Sequence, residues 1–353
     1  MTNDSSDRKQ SHLSICINED VSFKKKKTLF DEIELVATAL PGLSLVDIDT
    51  KTTFIGKELN APLMIGAMTG GAGGERGNIN SAFAKAAQKA GIALCLGSIR
   101  PALENSGLLK DFTVRNDAPD ILLFSNIGAN QLNEFGAKKI IEVSKKIEAD
   151  GIMVHLNPSM ELIQPGGATD FSHILEEISK LLDASSDYPV LVKETGMGLS
   201  YTDGMKLKNI GVKYVETGGA GGTSWVGVET LRSEGVDRAI GNMLWDFGIP
   251  TAVSTAWMVD AGLNVISSGG IRDSVDIARA ISLGANMTAM ARPLLKAFAS
   301  DFENGLDNKL EELITGLKYV MMCTGCKTIE DLKGVSTVRG SKLSHYIETG
   351  WTS

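Results

Sequence analysis

Eight short apolar runs, each followed by an amphipathic helical stretch, constrain the fold of this chain more than any other feature. Strands that are apolar along their whole length are typical of a parallel sheet covered by helices on both faces. Eight successive units favour an α/β fold closed into a (β/α)8 TIM barrel over an open doubly wound sheet. The runs are PLMIGA from Pro62, IALCL from Ile92, ILLFSN from Ile121, IMVHL from Ile152, VLVKE from Val190, KYVET from Lys213, NVISSG from Asn264 and NMTAM from Asn286.

The domain organisation is predicted from the positions of these runs. Residues 1–60 precede the first run and are predicted to form an N-terminal arm and lead-in. Residues 61–353 are predicted to form one barrel domain, because α/β barrels of this length fold as a single unit. The gap after the sixth run, residues 218–262, is long enough to hold an insertion with helices of its own.

The overall charge and the cysteine content exclude several classes of protein. A formal net charge of −8 and a pI of about 5.2 argue against binding of nucleic acid or of an anionic membrane. No apolar run is long enough to span a bilayer, and the polar start MTNDSSDRKQSH does not resemble a signal peptide. Four cysteines do not form a disulfide framework in a chain of this size, so a cytoplasmic location is expected.

Polar, glycine-rich segments come after every one of the eight runs. A general tendency of loops to be polar would explain one such segment but not all eight. Barrel enzymes build their active sites at the carboxyl ends of the strands, so the segments predict a catalytic face. They read MTGG at Met68, GSIR at Gly97, SNIGANQ at Ser125, HLNPSME at His155, KETG at Lys193, ETGGAGGTSW at Glu216, SSGGIR at Ser267 and ARP at Ala291.

A phosphate site is predicted after the seventh and eighth runs. The glycines of SSGGIR let backbone N–H groups approach an anion, and DSVDIARAI then begins a helix whose N-terminus favours negative charge. AMARPLL comes after the eighth run and reaches the same place in a closed barrel. The loop of residues 218–223 adds further backbone donors. These features indicate a tightly held phosphate of a cofactor or a substrate.

Several ionisable side chains near the strand ends are candidates for chemistry. His155 lies at the end of the fourth run and is either a site residue or a satisfied core residue. Glu161 suits a Mg²⁺ ion shared with substrate oxygens, and Glu229 in the insertion is a second candidate carboxylate. Lys193 could act as a Schiff-base nucleophile in a desolvated pocket, but beside an anion its charged form is favoured.

The motifs, taken in order, resemble those of the type 2 isopentenyl-diphosphate isomerases, a family of flavin-dependent barrel enzymes. RKQSH at residues 8–12 resembles the N-terminal element of that family, and PGLSLVDIDTKTTFIGKELNAPLMIGAMTGG resembles its entry into the first strand. GSIR, SNIGANQL, HLNP, ELIQPGG, VKETG, GGTSW, SSGGIR and MMCTG then come in the order of the family. The resemblance covers residues 8–335.

This resemblance implies an isomerase of isoprene biosynthesis that interconverts isopentenyl and dimethylallyl diphosphate. It also implies FMN over the barrel mouth, required in its reduced form without net redox change, with NADPH as the reductant. Mg²⁺ bridging the substrate diphosphate and a homo-oligomeric assembly are further expectations. Reduced FMN is then expected to exchange protons with the alkene through N5 and C4a, while the protein supplies orientation and charge.

The resemblance also implies roles for individual positions. Contacts to FMN are expected from Thr69, Ser98, Asn126, Lys193 and Thr223, and contacts to its phosphate from Gly270, Arg272, Ala291 and Arg292. The substrate diphosphate is expected to contact Arg8, Lys9, His12, Arg100 and Asn157, and the metal to contact Glu161. Catalytic roles are expected for His155, Glu229 and the family glutamine position, which is Met160 in this chain.

Two positions depart from the family pattern. Met160 stands where the family has glutamine, and Ile99 stands where the family has the glutamine of Gly-Ser-Gln-Arg. The first glutamine is expected to face the alkene, and a thioether cannot donate a hydrogen bond in its place. Acid–base groups typically contribute roughly 100- to 10,000-fold in rate. Three interpretations stay open: local drift, a different prenyl diphosphate or alkene as substrate, or a flavin-binding protein without turnover.

Two other enzyme classes on the same barrel fit this sequence less well. The α-hydroxy-acid oxidases resemble one another in a histidine–glycine–glycine–arginine type stretch after the sixth strand, where this chain has ETGGAGGTSW. The dehydrogenases of nucleotide synthesis use a nucleophilic cysteine in a glycine-rich loop, and none of the four cysteines lies in one.

Overall fold

The structure, a computed structural model, describes residues 4–68 and 79–350, and for residues 4–10 it describes the helical backbone only. The strands in these ranges are β1 (Ile33–Leu35), β2 (Thr52–Phe54), β3 (Lys57–Leu59), β4 (Leu63–Ile65), β5 (Ala93–Ser98), β6 (Leu123–Gly128), β7 (Gly151–Leu156), β8 (Val190–Glu194), β9 (Tyr214–Glu216), β10 (Asn264–Ser268), β11 (Met287–Met290) and β12 (Thr337–Arg339). The α-helices there are α1 (Asp4–Asn18), α2 (Ile79–Ala90), α3 (Arg100–Glu104), α4 (Asn130–Phe135), α5 (Ala137–Lys146), α6 (Pro158–Ile163), α7 (Ile174–Ser185), α8 (Tyr201–Asn209), α9 (Trp225–Arg232), α10 (Gly235–Leu244), α11 (Thr251–Asp260), α12 (Ser274–Ser282), α13 (Arg292–Ser300), α14 (Gly305–Thr324), α15 (Ile329–Lys333) and α16 (Ser341–Thr349). None of these helices is long and apolar enough to cross a membrane.

Strands β4 to β11 form a closed barrel of parallel strands, in which β9 pairs with β10 and β11 pairs with β4. Each strand overlaps one of the eight apolar runs, so the prediction of an α/β TIM barrel is confirmed. Along β8, Val190 and Val192 belong to the large core between barrel and helices, whereas Leu191 belongs to a separate core inside the barrel. Both faces of the strand are therefore apolar, which explains the continuous apolar runs.

The inside of the barrel is a packed core at its amino-terminal end. The strand residues that meet there include Met64, Phe124, Met153, Leu191, Ile266 and Met287. The hairpin of β2 and β3 adds Phe54, whose ring contacts the ring of Tyr214 edge-on with the centroids 5.4 Å apart. Because side chains fill this end, a ligand site has room only at the carboxyl end of the barrel.

The segment after the sixth barrel strand holds helices α9, α10 and α11, as the long gap predicted. Helix α11 packs against β10 and serves as a barrel helix. Helices α9 and α10 are additional elements that pack against each other and against α6. The insertion therefore stands beside the segment that comes after the fourth barrel strand.

The arm predicted over residues 1–60 is closely attached to the rest of the chain. Its helix α1 has 15 residues and packs against α9 and α13. Cys16 of this helix is fully buried. Strand β1 pairs antiparallel with β12, and Glu34 lies opposite Val338. The arm thus contacts the insertion, the last barrel helix and the C-terminal region.

Candidate active site

A cavity of about 630 Å³ opens at the carboxyl ends of the barrel strands. Each of the eight strands contributes residues at or just after its end to the cavity wall. His12 and Leu13 of α1 also line it. Because active sites of barrel enzymes lie at this end, the cavity is the candidate active site.

The floor of the cavity consists of side chains that point into the barrel. Successive side chains of a strand alternate between the two faces, so the residue two positions after an interior core residue also points inward. By this alternation, Leu191 precedes an inward Lys193 and Tyr214 precedes an inward Glu216. The polar members of this layer that line the cavity are Asn126, His155, Lys193, Glu216 and Ser268.

His155 is oriented by a neighbour on the floor. Its Nδ1 lies 3.0 Å from Oδ1 of Asn126. Because an amide oxygen only accepts hydrogen bonds, Nδ1 carries the proton and donates it to this bond. Nε2 of His155 flanks Gly128. The bond to Asn126 therefore fixes both the tautomer and the ring orientation of His155.

The floor carries a buried ion pair. Nζ of Lys193 lies 3.7 Å from Oε1 of Glu216 and donates a hydrogen bond of 2.8 Å to the carbonyl of Glu194. Lys193 is 6% exposed and Glu216 is 4% exposed. Oε2 of Glu216 is buried and has no hydrogen-bond partner among the described residues. Both residues of the pair belong to the cavity wall.

Glu194 shapes the loop after β8. Its Oε2 accepts hydrogen bonds from the backbone N–H groups of Thr195 and Gly196, each at 2.6 Å, and also from Met197 and Gly198. Burial raises the pKa of Glu194 to about 7, although these backbone donors act in the opposite direction. The carboxylate therefore holds the backbone of the cavity wall at residues 195–198.

Two glycine-rich loops pack against each other on one wall of the cavity. Gly269 and Gly270 come after β10 with φ angles of +105° and +75°, and Gly221 has a φ angle of +116°. A Cβ atom on Gly270 would lie 2.6 Å from Cγ2 of Thr28 and 2.7 Å from N of Gly222. Within the described part of the chain, the N–H groups of Gly222 and Gly270 have no acceptor. Closely packed loops with such N–H groups suit a phosphate.

Thr251, at the start of α11, joins these two loops. Its hydroxyl donates to the carbonyl of Gly269 at 2.5 Å and lies 3.2 Å from the carbonyl of Ala220. Thr251 is fully buried and is not part of the cavity wall. It therefore fixes the position of one loop relative to the other from behind.

Two arginines beside the glycine loops are engaged by the protein itself. Nε of Arg272 donates to Asp276 at 2.8 Å, and Asp276 is fully buried. Arg292 donates to the carbonyls of Cys16 and Glu19 at 2.9 and 2.6 Å. Arg292 therefore fastens the end of α1 to α13, a role that the sequence did not predict.

His12 is held by a buried carboxylate. Glu229 is fully buried, and its Oε1 lies 2.6 Å from Nε2 of His12. Oε2 of Glu229 accepts a hydrogen bond of 2.6 Å from Arg232. The ring of Trp225 meets the ring of His12 edge-on, with the centroids 5.4 Å apart. Because a carboxylate accepts, Nε2 of His12 is the donor, and Glu229 sets the orientation of this cavity residue.

Helix α6 carries the candidate metal ligand. Nδ2 of Asn157 donates to Oε1 of Glu161 at 2.9 Å and lies 3.7 Å from Sδ of Met160. The backbone N–H of Ala168 donates to Oε2 of Glu161 at 2.9 Å. Among the described residues, no group of three or more His, Cys, Asp or Glu side chains could hold a metal ion. Glu161 could therefore anchor a metal only together with oxygens of a ligand or of water.

Comparison with known proteins places this chain in a family. The sequence model of FMN-dependent dehydrogenases matches residues 4–104 and 177–338. An isopentenyl-diphosphate delta-isomerase from Methanothermobacter thermautotrophicus is 43% identical over 330 residues, which cover 93% of this chain and 91% of that protein. A protein of the same name from Archaeoglobus fulgidus is 38% identical and covers 97% of this chain and 98% of its own length. The chain belongs to the type 2 isopentenyl-diphosphate isomerase family.

Solved structures of other flavin enzymes share the barrel with this member of the isomerase family. A flavocytochrome b2 variant gives a TM-score of 0.68 at 17% identity and covers 98% of this chain and 84% of that chain. A lactate oxidase from Pediococcus acidilactici gives a TM-score of 0.66 at 16% identity, with 94% of each chain covered. At this level of identity the likeness concerns the fold alone.

Most of the positions that the resemblance to the isomerase family selected lie in this one cavity. Those that line it are His12, Ser98, Arg100, Asn126, His155, Asn157, Met160, Glu161, Lys193, Thr223, Gly270, Arg272, Ala291 and Arg292. Glu229 does not line the cavity, and it contacts His12 from behind. Thr69 lies outside the described residues, and Arg8 and Lys9 are described only as backbone of α1. Ile99, one of the two departures from the family, is fully buried and also does not line the cavity.

Several further cavity residues were missed by reasoning from the sequence, among them Glu216, Lys296 and Gln131. Glu216 is the last inward residue of the sixth barrel strand, and counting the strand alternation from Tyr214 would have found it. Lys296 lies four residues after Arg292 on α13 and is therefore on the same helix face. Gln131 lies in the SNIGANQ segment, and no residue pattern distinguished it from the surrounding loop.

Proposed function

We propose that this protein isomerises isopentenyl diphosphate to dimethylallyl diphosphate, with reduced FMN and Mg²⁺ bound and with NADPH as the reductant. The observation that carries the proposal is the composition of one cavity, which combines glycine-loop N–H groups, lysine and arginine side chains, two histidines and glutamate carboxylates. The relatives named above, which are called isopentenyl-diphosphate delta-isomerases, support it over nearly the whole chain. In this proposal the arm of residues 1–60 and the barrel of residues 61–353 act as one unit, because both line the cavity.

The residues of the cavity fit FMN. A side chain on Gly222 or Gly270 would collide with the neighbouring loop, and the N–H groups of both glycines have no acceptor in the described part of the chain, which suits a phosphate. The phosphate would be held by Gly270, Arg272, Ala291 and Arg292, and the flavin ring would be held by Ser98, Asn126, Lys193 and Thr223. When bound and reduced, FMN supplies an electron-rich ring that can release and take up a proton.

Thr251→Val is expected to weaken FMN binding about tenfold. Valine keeps the shape of threonine but cannot donate to the Gly269 carbonyl, which is bonded at 2.5 Å in the wild-type protein. Leaving such a group unsatisfied costs about 1 to 3 kcal/mol, and each 1.4 kcal/mol corresponds to roughly a factor of ten in affinity. Titration of the apoprotein, followed by quenching of FMN fluorescence, measures the change. Thr251→Ser, which keeps the hydroxyl, should restore binding, and equal affinities for all three proteins would contradict the positioning role.

The substrate diphosphate is proposed to lie among His12, Arg100 and Asn157, with Arg8 and Lys9 completing its site. Such local cations are needed because the net charge of −8 repels an anion. Glu161 would hold Mg²⁺ with one carboxylate, and oxygens of the diphosphate and of water would complete the coordination. Glu229 contributes by fixing His12, since its Oε1 accepts a hydrogen bond from Nε2 of that ring.

In the proton transfers, the protein contributes by orienting the groups around the substrate. Isomerisation removes a proton from C2 of the substrate and adds one to the terminal alkene carbon. His155 is held with Nδ1 toward Asn126, which fixes the orientation of its ring in the cavity wall. The buried side chain of Asn126 holds His155 through this hydrogen bond, which favours a single productive arrangement.

Met160 supports a second candidate function, the isomerisation of a different prenyl diphosphate or alkene. It lines the cavity at the family glutamine position, and its polar contact is a weak one, 3.7 Å from Nδ2 of Asn157. A flexible apolar side chain at this position suits a larger hydrocarbon chain. If isopentenyl diphosphate is the substrate, Met160→Gln is expected to raise kcat by about tenfold or more, as a hydrogen-bonding group typically does.

Deuterium exchange tests the proposal. The protein is incubated anaerobically in D₂O with reduced FMN, Mg²⁺ and isopentenyl diphosphate, and the vinylic and allylic signals are monitored by NMR. Deuterium entry with formation of dimethylallyl diphosphate supports the proposed reaction. If exchange fails while FMN and the diphosphate both bind, the proposed substrate is wrong, and longer prenyl diphosphates are tested next. A protein that binds flavin but turns over none of them is a non-catalytic flavin-binding protein.

A further inference from the structure

The cavity floor carries Glu216 beside Lys193, and the proposed mechanism does not use this acidic residue. Within the described part of the floor, Lys193 is the basic side chain and Glu216 the acidic one, and the layer is otherwise formed by Asn126, His155 and Ser268. Both charged groups are more than nine-tenths buried. With water excluded, charges this close influence their surroundings strongly.

Lys193 and Glu216 form an ion pair without a hydrogen bond between them. Nζ of Lys193 lies 3.7 Å from Oε1 of Glu216, which is too long for a hydrogen bond but close for an ion pair. The hydrogen bond of Lys193 goes instead to the carbonyl of Glu194. Oε2 of Glu216 has no partner among the described residues. Burying a carboxylate with an unpaired oxygen lowers the stability of the fold. A functional role for Glu216 would explain why it stands in this layer.

The charges of Glu216 and Lys193 also act on the neighbouring thiol of Cys95. The pKa of Cys95 is raised mainly by burial and further by the negative charge of Glu216, whereas the positive charge of Lys193 lowers it. Cys95 belongs to the core inside the barrel. The charges of the pair therefore act in opposite directions on groups that face the barrel axis.

We propose that Glu216 is a positioning residue that holds and offsets the charge of Lys193, so that the floor presents no net charge to the flavin. This inference rests on the proposed function, because it concerns flavin in this cavity. Reduction adds negative charge to the flavin, and a single lysine on the floor would favour that change. Glu216 opposes it and keeps the bound flavin harder to reduce.

The test is the reduction equilibrium of FMN bound to the full-length holoprotein, measured anaerobically against a redox dye by visible absorbance. Glu216→Gln keeps the shape of the side chain and removes its charge. The variant is expected to shift the equilibrium toward reduced flavin by about tenfold, which for a two-electron couple is roughly 30 mV. Glu216→Asp keeps the charge and should stay near the wild-type value.

Lys193→Met provides an opposite and independent measurement. It leaves Glu216 as the charge of the floor and should shift the equilibrium toward oxidised flavin, while the double variant Lys193→Met, Glu216→Gln should return close to the wild-type value. If the two single variants shift the reduction equilibrium in opposite directions and the double variant restores it, loss of folding cannot be the cause. An unchanged or lowered potential in Glu216→Gln, or no shift in Lys193→Met, would overturn the inference while leaving the proposed function intact. A wild-type protein that takes up no FMN would overturn both.

Discussion

Replacing Gly270 with alanine is expected to weaken FMN binding by about 100-fold. Gly270 has a φ angle of +75°, a backbone region in which strain costs about 1 to 3 kcal/mol for other residues. The new Cβ atom would lie 2.6 Å from Cγ2 of Thr28 and 2.7 Å from N of Gly222, so the loop must shift away from its partner loop. At 1.4 kcal/mol for each factor of ten, strain and displacement together reach roughly two powers of ten. Fluorescence titration of the apoprotein with FMN measures the loss.

A matched control separates backbone strain from the effect on the site. Gly136 has the same φ angle of +75°, but a Cβ atom there meets nothing within 4 Å. Gly136→Ala introduces a strained alanine away from the cavity and should bind FMN with the wild-type affinity. Wild-type affinity in Gly270→Ala as well would show that the glycine loop does not hold the phosphate.

The second large effect is expected at the proposed metal anchor, where Glu161→Gln should lower kcat/KM for isopentenyl diphosphate by at least about 100-fold. Glutamine keeps the length of the side chain and can still accept the N–H of Ala168, bonded at 2.9 Å in the wild type. It removes the negative charge that Mg²⁺ requires from its protein ligand. A 100-fold loss corresponds to about 2.7 kcal/mol of transition-state stabilisation. Initial rates at increasing Mg²⁺ concentrations measure both the loss and the higher Mg²⁺ requirement.

Glu176→Gln serves as the control for this experiment. Glu176 lies on α7, is 62% exposed and pairs with Lys180 at 2.7 Å. Exposed pairs of this kind contribute little, so the variant should keep the wild-type rate and the wild-type Mg²⁺ dependence. If Glu161→Gln behaves like Glu176→Gln, then Glu161 does not anchor the metal.

The barrel could be predicted from the sequence because its signal is local. Each strand is buried on both faces, and a run such as VLVKE of β8 is apolar until it reaches the cavity. The pairing of β1 with β12 gave no such signal. It joins three-residue strands from opposite ends of the chain, at Glu34 and Val338, and segments this short carry no readable period.

The candidate site was predictable in position but not in every contact. Motif order brought most of the expected residues to the carboxyl end of the barrel, since the loops after all eight strands meet at that end. It could not show the direction of a long side chain. Arg292, expected at a phosphate, lines the cavity but also donates to the carbonyls of Cys16 and Glu19, and Glu229, expected in catalysis, lies behind His12. Both contacts depend on the packing of the arm, which the sequence pattern did not reveal.

The attachment of the arm by Arg292 has a consequence for the order of events during synthesis. The ribosome makes α1 before the barrel, but the carbonyl of Cys16 accepts its hydrogen bond from Arg292, which lies 276 residues later in the chain. At about 5 to 20 residues per second, α1 waits roughly 14 to 55 seconds for this partner. Helix α1, which lines the cavity with His12 and Leu13, is therefore fastened by Arg292 only after the last barrel strand has been made.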